Sequence, residues 1–324
     1  MKIISGIRPT GTLHVGNYLG AIKNWLPLQE QEECLFFLAD LHALTTGQGE
    51  NLRDITLMTA AIYLACGLKP GSIFIQSHIH EHAELNWLLS CHVPMGWLSR
   101  MTQFKEKAEN QEKAMLGLFA YPVLMAADVL LYDGTHVPVG EDQKQHVELI
   151  RDIALSVNHR YGNDIFVVPE PMIQKVGARI MSLRNADAKM GKSNTSDYER
   201  INLLDTDEMI ADKIKKSTTD SYPMPTTIEE LDTRKEVKNL LTIHALCAQQ
   251  TLEQSIQQFA GRGFGTFKKE LTDAVIHTVA PIREKALMYQ NDETYLIDIL
   301  KLGQEKAQSK AKETLNRVKD YMKL

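Results

Sequence analysis

The chain has 324 residues, with 36 Lys and Arg against 41 Asp and Glu, a formal net charge of −5, and 44% hydrophobic residues. At roughly 150 residues per domain this length suggests about two domains, enough chain to bury about 75% of the unfolded surface without a disulfide framework or metal staple. Four scattered cysteines, no apolar run near the roughly 18 residues of a membrane span, and Arg8-Pro9 close to the start set the expectation of a cytoplasmic protein, neither secreted nor membrane-inserted.

Short apolar runs alternate with helical patterns through the first half, which predicts a parallel sheet flanked by helices. Lys2 to Ile7 reads as a first strand, Gly16 to Leu28 as a helix, and Cys34 to Ala39 as a second strand. Asn51 is placed to cap a helix through Leu57, Ala61, Leu64 and Ala65, which Gly67 and Pro70 stop. Ser72 to Gln76 forms a third strand. From Glu81 to Lys113 the apolar positions keep helical spacing, so a helical insertion near 81–120 is expected between two halves of the sheet. Pro122, at a tolerated first-turn position, opens a helix from Val123 to Leu131. His136 to Val139 is a short strand and Glu141 to His159 a long helix. Beyond Lys192 helices dominate: Asp207 to Lys216, Arg234 to Gln249, Leu252 to Phe259, Phe267 to Tyr289 and Asp292 to Met322. The expected organisation is α/β, a Rossmann-like parallel-sheet domain over 1–190 carrying the insertion, then a smaller all-α domain over 191–324 whose last helix packs back on the first.

Two segments carry chemistry. Ser5-Gly6-Ile7-Arg8-Pro9-Thr10-Gly11-Thr12-Leu13-His14-Val15-Gly16-Asn17 joins the first strand to the first helix through small residues. In an open α/β sheet that junction is where ligands bind, and a helix start offers N–H groups to phosphate. The glycine spacing is not G-x-G-x-x-G, so no dinucleotide fingerprint is present. Lys189-Met190-Gly191-Lys192-Ser193 puts two lysines in one loop, suited to a polyphosphate that gains charge as a bond breaks. It is not a P-loop, because Ala186 stands where that motif needs glycine. His78, His80 and His82 alternate after a strand, and a surface strand-to-loop segment explains them better than a metal site; no metal ligands are expected. Over 301–324 seven Lys and Arg face three acidic residues, which reads first as a solvated helix face and second as a basic surface.

H-x-G-N after the first strand with K-M-x-K-S at the end of the sheet domain resembles the paired signatures of class I aminoacyl-tRNA synthetases. The segments Arg100 to Lys107, Tyr121 to Asp128, Val137 to His146 and Gly177 to Leu183 narrow the resemblance to the bacterial tryptophan-specific family, over nearly the whole chain. It implies ATP-dependent activation of L-tryptophan to an adenylate and transfer to tRNA(Trp), by a cytoplasmic homodimer. By the same resemblance, the catalytic residues are His14, Asn17, Lys107, Lys189, Lys192 and Ser193. ATP is lined by Arg8, Pro9, Thr10, Gly16, Asn17, Gly140, Glu141, Asp142 and Ile180, with Lys189, Met190, Gly191, Lys192 and Ser193 closing over the pyrophosphate. Tryptophan is held by Gly6, His42, Tyr121, Met125, Asp128, Val137, Val139 and Gln143, with Asp128 accepting the indole N–H. The spacing agrees: Tyr121, Met125 and Asp128 share one helix face, and a donor-only indole nitrogen needs an acceptor in a buried pocket. Mg²⁺ is expected to accompany ATP without a protein cage. Trp87, Leu88, Trp97 and Leu98 mark the insertion as the dimer face. The chain departs from the family pattern at Leu41, Ile4, Arg8 and Gly191. Two other readings are a tyrosine-activating synthetase on the same scaffold, since Asp128 could accept from a phenol, and a catalytically silent tRNA-binding relative.

Overall fold

The computed structural model describes residues 1–46, 51–107, 115–140, 143–162, 164–173, 179–191 and 196–324. Strand β1 (Lys2–Ile7) leads through a glycine-rich turn into a nearly continuous helical rod made of α1 (Val15–Asn17), one π-helical turn (Tyr18–Ile22) and α2 (Lys23–Gln31). There follow β2 (Glu33–Leu38), α3 (Asp40–Ala43), α4 (Leu52–Ala65) and β3 (Ile73–Ile75). The insertion comprises α5 (Glu81–Ser90), α6 (Met95–Ser99) and α7 (Thr102–Lys107), after which come α8 (Leu116–Leu130), β4 (His136–Val139), α9 (Lys144–Tyr161) and β5 (Glu170–Ile173). The remainder is helical: α10 (Asp207–Lys215), α11 (Lys235–Cys247), α12 (Leu252–Phe259), α13 (Phe264–Asn291) and α14 (Glu293–Met322).

All pairings in the five-stranded sheet are parallel, in the order β3-β2-β1-β4-β5. Both faces are covered, so β2 reads as a continuous apolar run (Cys34-Leu35-Phe36-Phe37-Leu38), five residues buried in succession. One apolar cluster joins Ile3, Phe36 and Ile73 on one face of the sheet to α4, α11 and α13; the other joins Ile4, Leu35, Phe37 and Phe74 to α5, α8 and α9. Helix α14 seats against β3 so closely that a Cβ at Gly303 would lie 1.8 Å from the Ile73 carbonyl oxygen.

Four local expectations are corrected. Asn51 sits in the left-handed region (φ 63°) and makes no side-chain cap for α4. Helix α8 starts six residues before Pro122, so the proline lies inside it and leaves the Leu118 carbonyl without its i+4 donor. The ninth helix runs on to Tyr161 instead of ending at His159, while its expected start at Glu141 lies outside the described residues. Strand β5 was not anticipated because Pro169 and Pro171 obscure it; at the sheet edge a missing N–H can face outward, so Pro171 is tolerated.

Candidate active site

The chain passes from β1 to β2 on one side, then crosses from β3 to β4 on the other, so the sheet reverses direction between β1 and β4. At such a switch point the two following loops diverge and leave a crevice at the carboxyl edge. Arg8 to His14 follow β1 there, and Gly140 follows β4. Thr10 closes a tight turn on the Arg8 carbonyl (2.9 Å), and Gly11 takes φ 72°, a conformation that L side chains rarely adopt.

His14 caps α1 reciprocally with Asn17. The Asn17 N–H donates to His14 Nδ1 (3.3 Å), and the His14 N–H donates to Asn17 Oδ1 (3.1 Å). The pair that reads as catalytic in sequence thus also fixes the helix start, with His14 only 2% exposed. Gly16 packs on this ring: a Cβ there would stand 3.0 Å from His14 Nδ1 and 3.5 Å from Ile180 Cβ. Ile180 in turn accepts the Met190 N–H (3.0 Å), and Met181 bridges Lys189 antiparallel, so the start of the lysine loop is laid beside Gly16. From the other side, Val15 N–H donates to Ile201 and Leu203 N–H to Leu13, both at 2.8 Å. Asp205 holds the Asn202 N–H and is itself paired with the buried Lys213 (2.6 Å), which also reaches Asp197 (2.6 Å). A buried ammonium between two carboxylates therefore braces the strip that carries His14.

The second half of the site centres on Asp128, which has no exposed surface. Its Oδ2 accepts from His42 Nε2 (2.7 Å), and its Oδ1 from both Gln76 Nε2 (2.6 Å) and His82 Nδ1 (2.7 Å). Burial alone would raise this carboxyl, but the attraction of His42 and the hydrogen bonds from His42 and His82 outweigh it and hold the group at about 2. His42 meets the Tyr121 ring edge-on, with centroids 6.1 Å apart. The Tyr121 hydroxyl donates to Gln103 Oε1 (3.1 Å) or shares its proton with His146 Nε2 (2.8 Å). Burial pushes that phenol up to about 12, against the opposing charge of Arg8. Gly6 faces Phe37, where a Cβ would lie 2.6 Å from the ring. Val137 is buried, with Met125 and Val139 packed partly buried on the same cluster.

The structure therefore gathers His42, Tyr121 and Asp128 into one network, and Gly16, Ile180, Lys189 and Met190 into another. Pro9 is buried and Thr10 half-buried beside the turn, while Gln143 stands at the N-terminus of α9, its side chain making no cap hydrogen bond, and Gly191 follows Met190. Glu141, Asp142, Lys192 and Ser193 lie outside the described residues, as does the Lys107 side chain. Asp128 is wholly buried. Two expectations change. His82 is no surface residue: it is wholly buried on the α5 face it shares with Leu85 and Leu89, a spacing of three and seven that could have signalled an inward face. On the insertion, Leu98 is buried, and the exposed apolar residues are Trp87, Met95, Met115 and Leu116. Gln76, His82, Tyr132, Gln103 and His146 are site neighbours that sequence reasoning missed. Among the described residues no His, Cys, Asp or Glu side chains gather as a metal site requires, and no helix is long and apolar enough to cross a membrane.

Comparison with known proteins places this geometry. Residues 1–280 match the family described as tRNA synthetases class I (W and Y). The chain is 51% identical over 322 residues to the tryptophan--tRNA ligase of Rickettsia conorii, covering 98% of this chain and 97% of that one. It is 49% identical over 323 residues to that of Caulobacter vibrioides, covering 98% and 94%. In structure it resembles Campylobacter jejuni tryptophanyl-tRNA synthetase complexed with ADP and tryptophan, with a TM-score of 0.86, 35% identity and 100% of both chains covered. The chain belongs to the class I tRNA synthetases of the tryptophan and tyrosine group.

Proposed function

We infer that this protein activates L-tryptophan with ATP to tryptophanyl-adenylate and pyrophosphate, then transfers the tryptophanyl group to tRNA(Trp). The observation that carries this reading is the near-complete match, at about half identity, to bacterial tryptophan--tRNA ligases. The geometry supports it. A carboxylate has about four acceptor sites; Asp128 uses two on Oδ1 and one on Oδ2, so Oδ2 keeps one for a further donor such as an indole N–H. Admitting the ring requires the covering side chains, His42 and Tyr121 foremost, to part.

The substrate carboxylate attacks the α-phosphorus in line while the bond to pyrophosphate breaks; the terminal ribose hydroxyl of the tRNA then takes the acyl group and AMP leaves. A carboxylate is already nucleophilic, so the enzyme supplies position and charge stabilisation. Gly16 and Ile180 offer a close-packed floor for the nucleotide, and Lys189 and Lys192 neutralise the leaving pyrophosphate. Mg²⁺ enters as a component of the nucleotide substrate, carried by its phosphates. Exposed Trp87, Met95, Met115 and Leu116, each at least 70% exposed, form the dimer face. The helical part over 191–324 contacts the tRNA, and the protein works in the cytoplasm. Amino-acid-dependent pyrophosphate exchange with each of the twenty amino acids tests the reading. Strong exchange with tryptophan and feeble exchange with tyrosine is expected; a tyrosine preference overturns the substrate, and no exchange at all overturns activation.

A further inference from the structure

We propose that His82 and Tyr132 are positioning residues for substrate selection, a fork that turns Asp128 so that one chosen oxygen meets the indole nitrogen. This rests on the reading of Asp128 as the indole acceptor. Asp128 lies in the last turn of α8 and Tyr132 in the turn that follows it, its N–H bonded back to the Val129 carbonyl (3.3 Å). Between them lies His82, carried by α5: Nδ1 is 2.7 Å from Asp128 Oδ1 and Nε2 is 2.7 Å from the Tyr132 hydroxyl. A carboxylate only accepts, so Nδ1 carries the proton toward Asp128, and Nε2 meets the Tyr132 hydroxyl on the far side of the ring. All three side chains are at most 1% exposed. The imidazole is walled by Phe37, Phe74 and Tyr132, with centroids 5.5 to 6.1 Å away, and cannot turn to the other tautomer's geometry without losing one bond.

The bonds are distributed unevenly, and that decides the function. Oδ1 is filled from behind by His82 and Gln76, while among the described residues Oδ2 has His42 alone. His42 is the residue that reaches Tyr121 and retains some exposure. With Oδ1 pinned, the carboxylate plane is set and Oδ2 is the oxygen presented with His42 toward the substrate side. Without the His82 donor Oδ1 would be held by Gln76 alone, the carboxylate plane would be less firmly set, and its directional preference for an N–H would fall. His82 touches no substrate; it acts through Asp128.

The test measures kcat/KM in pyrophosphate exchange for tryptophan and for its analogue with the indole nitrogen replaced by sulfur, which lacks the donor. His82→Leu is expected to lower the ratio of the two by about tenfold, mainly through the KM for tryptophan, because the N–H contact is made equally in ground and transition states. His82→Asn keeps a donor near the Nδ1 position and is expected to restore most of the ratio. Tyr132→Phe removes the partner that orients the ring and is expected to lower the ratio severalfold. A purely structural role would lower the melting temperature in both His82→Leu and Tyr132→Phe and leave the ratio of the folded enzyme at the wild-type value; that result overturns the proposal. If His82→Leu does not fold, Tyr132→Phe and His82→Asn decide it by the same ratio. Asp128→Ala separates the two levels. If it leaves the ratio unchanged, the indole reading of Asp128 fails; if it collapses the ratio while the His82 and Tyr132 variants do not, only the positioning role fails.

Discussion

Acid is expected to remove a definable part of the stability through Asp128. The folded carboxyl is held at about 2 against an ordinary value of 3.8, because hydrogen bonds and attraction from His42 and His82 outweigh the penalty of burial. A depressed carboxyl stabilises the folded state above the unfolded value, and that contribution disappears as pH falls through the folded one. The difference corresponds to about 2 kcal/mol at neutral pH, of which about half remains at pH 3. Asp128→Asn removes this titration. Its amide must also turn its carbonyl toward the Gln76 and His82 donors and its NH₂ toward His42, which then has to present an acceptor; the charge-assisted bonds become ordinary ones. Urea unfolding of wild type and variant at pH 7, 5, 4 and 3 measures the effect. The variant is expected to be less stable by about 2 kcal/mol at pH 7, with the gap unchanged at pH 5 and narrowing by about 1 kcal/mol at pH 3. A gap that stays constant to pH 3, or widens, would show that Asp128 does not carry its charge in the folded core.

Lys213→Met keeps length but leaves the buried Asp205 without its cation, while Asp197 keeps Arg200 (3.3 Å); a loss of about 3–5 kcal/mol is expected in urea unfolding, with a raised KM for ATP because the strip bracing His14 loosens. Gly303→Ala drives a methyl into the Ile73 carbonyl, so α14 must lift from β3 at a cost of about 1–3 kcal/mol or more, read as a lower melting temperature. Lys192→Ala is expected to slow the activation step far more than it weakens tryptophan binding, since pyrophosphate gains charge only as its bond breaks; equal losses in single-turnover rate and binding would assign this lysine a ground-state role. Neutralising the exposed Lys215, Lys306 and Lys312 is expected to weaken aminoacylation and flatten its salt dependence while sparing pyrophosphate exchange.

Much of this protein is written locally. Alternating apolar runs and helical spacing are properties of a few consecutive residues, so the order of strands and helices, the parallel sheet and the helical remainder are legible in the chain itself. The signatures are local too: His14 to Asn17 and Lys189 to Ser193 are legible together by their resemblance to the family pair, and Asp128 stands out as a carboxylate on an apolar helix. Tertiary structure decided what no local window contains. His82 reads as a surface histidine until α5 packs against α8, because the groups that satisfy it stand 46 and 50 residues away. The burial of Lys213 likewise depends on Asp205 and Asp197, which lie outside its own helix. Pro122 reads as a helix start because the helix to which it belongs is set by packing of the preceding turn, and β5 emerges only because an edge strand tolerates its prolines. The residues of Asp128's network are brought together from the turn after β3 and from α3, α5 and α8 by the sheet's order and the insertion. A buried polar group is stabilised only by partners of suitable geometry, so its fate belongs to the assembled core and not to its own segment.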